Sequence, residues 1–241
     1  MLEGQETDKI KVAVYDFDYT SIEGSSPTML VNRLFTTRKL SFLVSLSIGF
    51  WGLAYKMRLP QNESWVRGRV FKAFEGQPKD EVDQYLSDFY DEVIEPRFRP
   101  KAHESMQEHI DAGHVVIVVS ASFEPIVLRA MEKHPFTGQV STRMKVAPDG
   151  TYTCQVDGQC VQGEEKLEAI DRWCDEHLGE GRWEIVAADG DHHSDEPMLE
   201  AATNAYVVTP NHLMARIAAE KGWPVLDWSI KVERPRWFFT K

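Results

Sequence analysis

Ile10-Lys11-Val12-Ala13-Val14-Tyr15-Asp16-Phe17-Asp18-Tyr19-Thr20 starts as an apolar strand and ends in two carboxylates, two positions apart. Its β-branched first half reads as a short buried strand. Residues two apart in extended chain share a side, and like charges that close resist joint ionisation. A divalent cation between them would remove the repulsion, and Mg²⁺ suits oxygen ligands. Taken alone, the Asp-x-Asp pair reads more readily as a solvated turn after a strand. Three other segments decide against that reading.

His114–Val119 is a second apolar strand and runs into Ser120-Ala121-Ser122. Gly163-Glu164-Glu165-Lys166 opens a helix reaching about His177, with Leu167, Ile170, Trp173 and Cys174 on one face. A third strand, Glu184–Ala188, precedes Asp189-Gly190-Asp191-His192-His193-Ser194-Asp195. In an open α/β sheet, ligands bind beyond the carboxyl ends of the strands, where the strand order switches. Each segment lies at a strand end or a helix start, so the four converge on one place.

In that order and spacing the four segments resemble the motifs of the haloacid dehalogenase-like hydrolases, in their phosphoserine-phosphatase-like branch. Gly113-His114, the hairpin Asp149-Gly150-Thr151-Tyr152-Thr153, Pro197-Met198-Leu199 and Gly222-Trp223-Pro224-Val225-Leu226 are similar to that branch as well. The resemblance implies an α/β fold: a doubly wound, mostly parallel, Rossmann-like core with an inserted helical cap. The core takes residues 1–20 and 101–241, and the cap takes residues 21–100, bounded by Pro96 and Pro100.

The residues support a phosphoryl chemistry in their own right. A phosphate monoester carries nearly two negative charges, and carboxylates alone would repel it. Mg²⁺ and Lys166 would supply opposing charge, and Ser120 a hydrogen bond to a phosphoryl oxygen. Asp16 would attack phosphorus in line, forming an aspartyl-phosphate. Asp18 would protonate the leaving oxygen and then take a proton from the hydrolytic water. Asp191 would complete the metal site, with Asp195 as a ligand or its orienter. The resemblance assigns the same roles and adds the Asp18 carbonyl as a metal ligand. It also favours phosphoryl transfer, because relatives that cleave carbon–halogen bonds lack the second aspartate. Thr20 either buttresses the Asp16 loop or touches substrate. Lys166 misfits a helix start, where the dipole prefers carboxylates; a site that needs a cation accounts for it.

Some positions depart from the family pattern. Tyr19 stands where many relatives have glycine, and His192 where close relatives often have serine. Phosphoserine phosphatases usually place a glutamate nine residues after the nucleophile to hold the substrate ammonium. Here that place is Ser25, with Glu23 two positions early, which counts against phosphoserine. Adjacent His192 and His193 point apart on a regular backbone and make a poor transition-metal pair. In the cap, Arg69 within Glu63–Val70 resembles a substrate-binding arginine of that branch; arginine grips a carboxylate or second phosphate bidentately.

A chain of 241 residues, 42% hydrophobic, can bury one α/β core and a smaller cap. Its net charge of −11 argues against a nucleic-acid partner, which needs clustered Lys and Arg. The polar start, Met1–Lys9, has no apolar signal-like run, so the expectation is a cytoplasmic enzyme. Cys154, Cys160 and Cys174 form neither a disulfide framework nor a tight metal pattern. Cap helices are expected at about 27–37, 40–57, 62–75 and 79–93. The second is the most apolar stretch, LSFLVSLSIGFWGLAYKM. It reads as a buried cap helix or, flanked by Arg38, Lys39, Lys56 and Arg58, as a peripheral membrane contact. The functional expectation is a Mg²⁺-dependent phosphomonoesterase acting on a small or lipid-like phosphate monoester. Its alternatives are a phosphotransferase using the same intermediate, and a non-catalytic lipid- or protein-binding module. Oligomeric state stays open.

Overall fold

The computed structural model describes residues 9–37, 70–158, 161 and 163–230. Seven strands form one sheet in the order β4-β3-β2-β1-β5-β6-β7. They are β1 (Ile10–Asp16), β2 (Val115–Phe123), β3 (Gly138–Val146), β4 (Tyr152–Asp157), β5 (Trp183–Gly190), β6 (Asn204–Val208) and β7 (Val225–Leu226). All neighbours pair in parallel except β3 and β4, which form an antiparallel hairpin. The chain leaves β1 to build one half of the sheet and returns to its other side with β5. The switch in strand order therefore falls at β1, the strand that carries Asp16.

Burial explains why β1 and β2 read as unbroken apolar runs: the sheet is covered on both faces. Val12, Val14, Ile117 and Val119 face one side with α5 (Glu164–Leu178), α6 (Glu196–Glu200) and α7 (His212–Lys221), against Ile170, Cys174, Met198, Leu199 and Met214. Ala13, Tyr15, Val116 and Val118 face the other, with α3 (Pro100–Asp111) and α4 (Glu124–Met131). The second cluster continues through α1 (Ser26–Thr36) and α2 (Lys79–Phe89), taking in Leu30, Leu34, Phe71, Phe74, Leu86 and Phe89. Phe71 packs on Phe123 at the end of β2, ring centroids 4.6 Å apart.

The outgoing and returning chains run side by side. Ile22 and Phe98 form an antiparallel bridge, the Glu23 N–H donates to the Arg97 carbonyl at 2.8 Å, and the Arg99 N–H donates to the Ser21 carbonyl at 2.9 Å. Pro96 sits in a short 3-10 turn and Pro100 at the first turn of α3, where its missing N–H costs nothing.

Several elements differ from the sequence-based expectation. The strands run further: β2 continues through Ser120 to Phe123, and β5 through Asp189 to Gly190. The helix expected over 79–93 is α2 as far as Phe89 and a wider π-type turn over Tyr90–Ile94. The stretch expected as a helix at 62–75 is described only from Val70, and the apolar segment 40–57 lies outside the described residues. Among the described residues, no helix is long and apolar enough to cross a membrane. Cys174 is buried and Cys154 half-buried, while Cys160 is outside the described residues.

Candidate active site

Asp16 is the last residue of the central strand, and its carboxylate is almost wholly buried. The Lys166 ammonium, near the start of α5, donates to Asp16 Oδ1 at 2.5 Å and to Asp195 Oδ1 at 2.6 Å. Lys166 is 4% exposed and Asp195 1%. Burial works against the Lys166 charge, but the two carboxylates outweigh it and hold its pKa above the ordinary lysine range. For Asp16 the balance goes the other way. Burial raises its pKa well above the carboxylate norm, Lys166 opposes that, and Asp195 and Asp191 add to it.

Asp191, one residue beyond β5, is pushed up to about 7, first by burial and then by Asp195. Thr20 Oγ1 donates to Asp191 Oδ1 at 3.2 Å, so its contact is to the fourth motif through its side chain and not to the Asp16 backbone. The residue that buttresses Asp16 from behind is Ser21, whose Oγ donates to the Asp16 carbonyl at 2.6 Å. Gly190 is required for this packing. A Cβ there would stand 2.8–3.1 Å from Cβ, Oδ2 and Cγ of Asp195.

Carboxylate oxygens of Asp16, Asp191 and Asp195 all lie within 4.8 Å of one another. That clustering brings the three carboxylates within reach of one shared divalent cation. Three clustered carboxylates against one ammonium leave an uncompensated negative charge, and hard oxygen donors match a hard divalent cation. The residues present fit such an ion.

Asp18 is held differently. It is half-buried, and neither of its hydrogen bonds is to a cation. Its Oδ1 accepts from the Ser26 N–H at 2.5 Å, and its Oδ2 accepts from Ser122 Oγ at 2.7 Å. Burial raises its pKa, and these hydrogen bonds pull it back. Ser120 is fully buried, and its Oγ accepts from the Ser122 N–H at 2.9 Å. Asp16, Asp18, Thr20, Ser120, Lys166, Asp191 and Asp195 thus gather at the carboxyl ends of β1, β2 and β5. Arg69 is outside the described residues.

Three positions singled out in the sequence receive a physical account. Tyr19 has φ 61°, a left-handed backbone that favours glycine, and its carbonyl accepts from Arg99 Nη2 at 3.1 Å. Ser25 caps α1, its Oγ accepting from the Thr28 N–H, while Glu23 is exposed. His192 and His193 do not point apart. Their ring centroids lie 3.9 Å apart at 49°, because the backbone passes from extended at His192 into a 3-10 turn. The His192 ring is turned to Ser194 Oγ at 2.9 Å, and the His192 backbone N–H donates to Asp195 Oδ2 at 3.2 Å.

Sequence reasoning gave no role to Ser26, Ser122 or Asp189. Asp189 is 1% exposed, and neither carboxylate oxygen has a hydrogen-bond partner among the described residues. No sequence signal marked it, because the polar run after Ala188 reads as a loop although β5 continues through Asp189 to Gly190.

Comparison with known proteins agrees with this geometry. The sequence matches the haloacid dehalogenase-like hydrolase family over residues 13–200. Phosphoserine phosphatase SerB1 of Mycobacterium tuberculosis is 24% identical over 227 residues, spanning 92% of this chain and 72% of its own. A histidinol-phosphatase of Neisseria meningitidis is 28% identical over 156 residues, spanning 62% of this chain and 68% of its own. A crystal structure of a Bordetella pertussis protein of unknown function has a TM-score of 0.81 at 19% identity, covering 92% of this chain and all of that one. At that identity the structural likeness speaks for the fold. The motif order, the sheet that carries it and a family match over most of the sequence lead to one assignment: the chain belongs to the haloacid dehalogenase-like hydrolases, beside the phosphoserine phosphatases.

Proposed function

We propose that this hydrolase is a Mg²⁺-dependent phosphomonoesterase that works through an aspartyl-phosphate on Asp16 and acts on a small or lipid-like phosphate monoester. The observation that carries the reading is the contrast between two neighbouring carboxylates. Asp16 is fixed by the buried Lys166 ammonium within an acidic cluster, whereas Asp18 is held by neutral donors. With a divalent cation added to Lys166 against its burial, Asp16 is set up as an anionic nucleophile, and Asp18 as a group that exchanges a proton.

Lys166 engages Oδ1 of Asp16, so Oδ2 is the oxygen that attacks phosphorus. The bond from phosphorus to the ester oxygen breaks, and Asp18 delivers its proton to that oxygen, releasing the alcohol. Asp18, now anionic, takes a proton from a water that attacks the phosphorus of the aspartyl-phosphate, freeing phosphate and restoring Asp16. The Ser120 hydroxyl donates to a phosphoryl oxygen, and Lys166 offsets the charge of nucleophile and phosphoryl group together. Asp16, Asp191 and Asp195, with the Asp18 carbonyl, would hold Mg²⁺, which neutralises phosphoryl charge and orients the group for in-line attack.

In this reading, residues 1–20 and 101–241 supply the chemistry and the cap at 21–100 reads the substrate, with Arg69 as a candidate contact. A phosphoserine phosphatase and a histidinol-phosphatase match this chain at similar identity, so neither substrate carries over. Ser25 is spent on capping α1. That supports a substrate other than phosphoserine.

Phosphate release from a panel of phosphoamino acids, sugar phosphates and lysophospholipids, with Mg²⁺ or EDTA, tests the reading. Asp16→Asn is expected to lower kcat/KM by about three orders of magnitude or more. Metal-independent release, or release that survives Asp16→Asn, would overturn it. Added alcohol acceptors in the same assay would expose phosphotransfer as a second product.

A further inference from the structure

β2 does not run straight into its loop. Its register against β3 pairs Ser120 with Ser141 and then Phe123 with Thr142, so Ala121 and Ser122 form a bulge. Bulges re-aim side chains, and strict alternation would have put Ser120 and Ser122 on the same face with the same surroundings. Here the two serines have separate partners. The Ser122 N–H donates to Ser120 Oγ at 2.9 Å, which occupies a lone pair of that hydroxyl and leaves its proton directed elsewhere. Ser122 Oγ donates to Asp18 Oδ2 at 2.7 Å. Having one proton, Ser122 Oγ accepts from Ser26 Oγ. Ser26 in turn gives its backbone N–H to the other carboxylate oxygen of Asp18. Ser26, Ser120 and Ser122 are all at most 1% exposed. No water competes for these hydroxyls, and each buried hydrogen bond has a defined direction.

We infer that Ser122 is a positioning residue for Asp18: a buried relay from Ser26 Oγ through Ser122 Oγ to Asp18 Oδ2 holds that carboxyl aimed at the leaving-group oxygen. This rests on the phosphatase reading and goes beyond it, because neither serine touches substrate. The relay also joins two elements. Ser122 belongs to the sheet and Ser26 opens α1, so the proton donor is placed jointly by the strand and by the first helix after it. Ser26 N–H is one of the free amides at the start of α1, and Asp18 is thus also an acceptor for that helix terminus.

Leaving-group dependence separates positioning from mere structure. A nitrophenolate leaves without help, whereas an alkoxide needs its proton as the P–O bond breaks. kcat/KM reports the steps through alcohol release, so it isolates this half of the reaction. For Ser122→Ala we expect kcat/KM to fall by about 10–100-fold on an alkyl phosphate, within the 10²–10⁴-fold range of general acid catalysis. On p-nitrophenyl phosphate the loss should stay below about threefold, since that ester draws little on the acid. Ser26→Ala, which keeps the backbone N–H, should show the same selectivity at smaller size. Equal losses on both esters, in variants whose thermal midpoints match wild type, would overturn the inference and leave the phosphatase reading standing. If Ser122→Ala unfolds, Ser26→Ala decides by the same criterion. Wild-type protein inactive on both esters would overturn the phosphatase reading and this inference with it.

Discussion

Two buried carboxylates on neighbouring strands of one sheet have opposite surroundings. Asp16, at the end of β1, shares the Lys166 ammonium with Asp195. Asp189, inside β5 and in register with Tyr15, has no partner for either oxygen among the described residues. Burial raises the pKa of both. In the site it is opposed by a cation, and in the sheet nothing comparable opposes it. The lesson is that burial by itself makes an acid, whereas a nucleophilic anion at neutral pH needs counter-charge of equal depth, here Lys166 together with the divalent cation that the acidic cluster would hold.

Removing that counter-charge should have the largest effect. Lys166→Met leaves Asp16 and Asp195 buried without their cation, and breaking such a pair costs about 3–5 kcal/mol. Urea unfolding of metal-free protein at pH 7 should show that loss. The deficit should shrink as pH falls toward 4, because protonating the carboxyls removes the unpaired charge. A loss below about 1 kcal/mol, in line with an exposed ion pair, would break the comparison.

Metal comes next in size. An ion held by Asp16, Asp191 and Asp195 binds the folded state only, so Mg²⁺ at 100 times its dissociation constant adds about 2.7 kcal/mol. The thermal midpoint should rise with Mg²⁺ and return with EDTA, and Asp191→Asn should flatten the response. A rise that persists in Asp191→Asn would place the ion elsewhere.

How far all this was legible in the sequence depended on the kind of signal. Strand-plus-aspartate at Asp16 and Asp18, the helix carrying Lys166 and the turn with Asp191 and Asp195 were readable, because charge at the end of an apolar run is costly and conspicuous. The doubly wound sheet followed from the same segments. Ser122 was not readable as a partner of Asp18, since that depends on a bulge, and alternation alone assigns it the face of Ser120. Asp189 hid for a related reason. It stands in a run of polar residues that reads as a loop, yet β5 extends through it because β6 supplies the register Asp189↔Tyr206 and Gly190↔Val207. The positive φ of Tyr19 was not readable either, because a tyrosine gives no local hint of a left-handed backbone.

Asp189 supplies the smallest and sharpest test. In the unfolded chain it ionises near pH 3.9, while burial holds it protonated far above that in the fold. The folded state therefore binds the extra proton, and stability is lost as pH rises from about 4 toward the folded pKa. Asp189→Asn keeps the shape and removes the ionisation, so it should be more stable than wild type at pH 7 by about 1–3 kcal/mol. The gain should vanish near pH 3, where both states of the wild-type residue are largely protonated. Phosphomonoesterase kcat/KM should stay within about twofold, because Asp189 lies in the sheet and not among the residues assigned to the reaction. A destabilised variant would mean that the carboxylate has a counter-charge after all, and an inactive one that Asp189 acts on the site. Either result would erase the distinction between the two carboxylates. The expected pair, a pH-dependent gain in stability with activity intact, would show that one sheet sets an aspartate at the site and carries another only as a cost of folding.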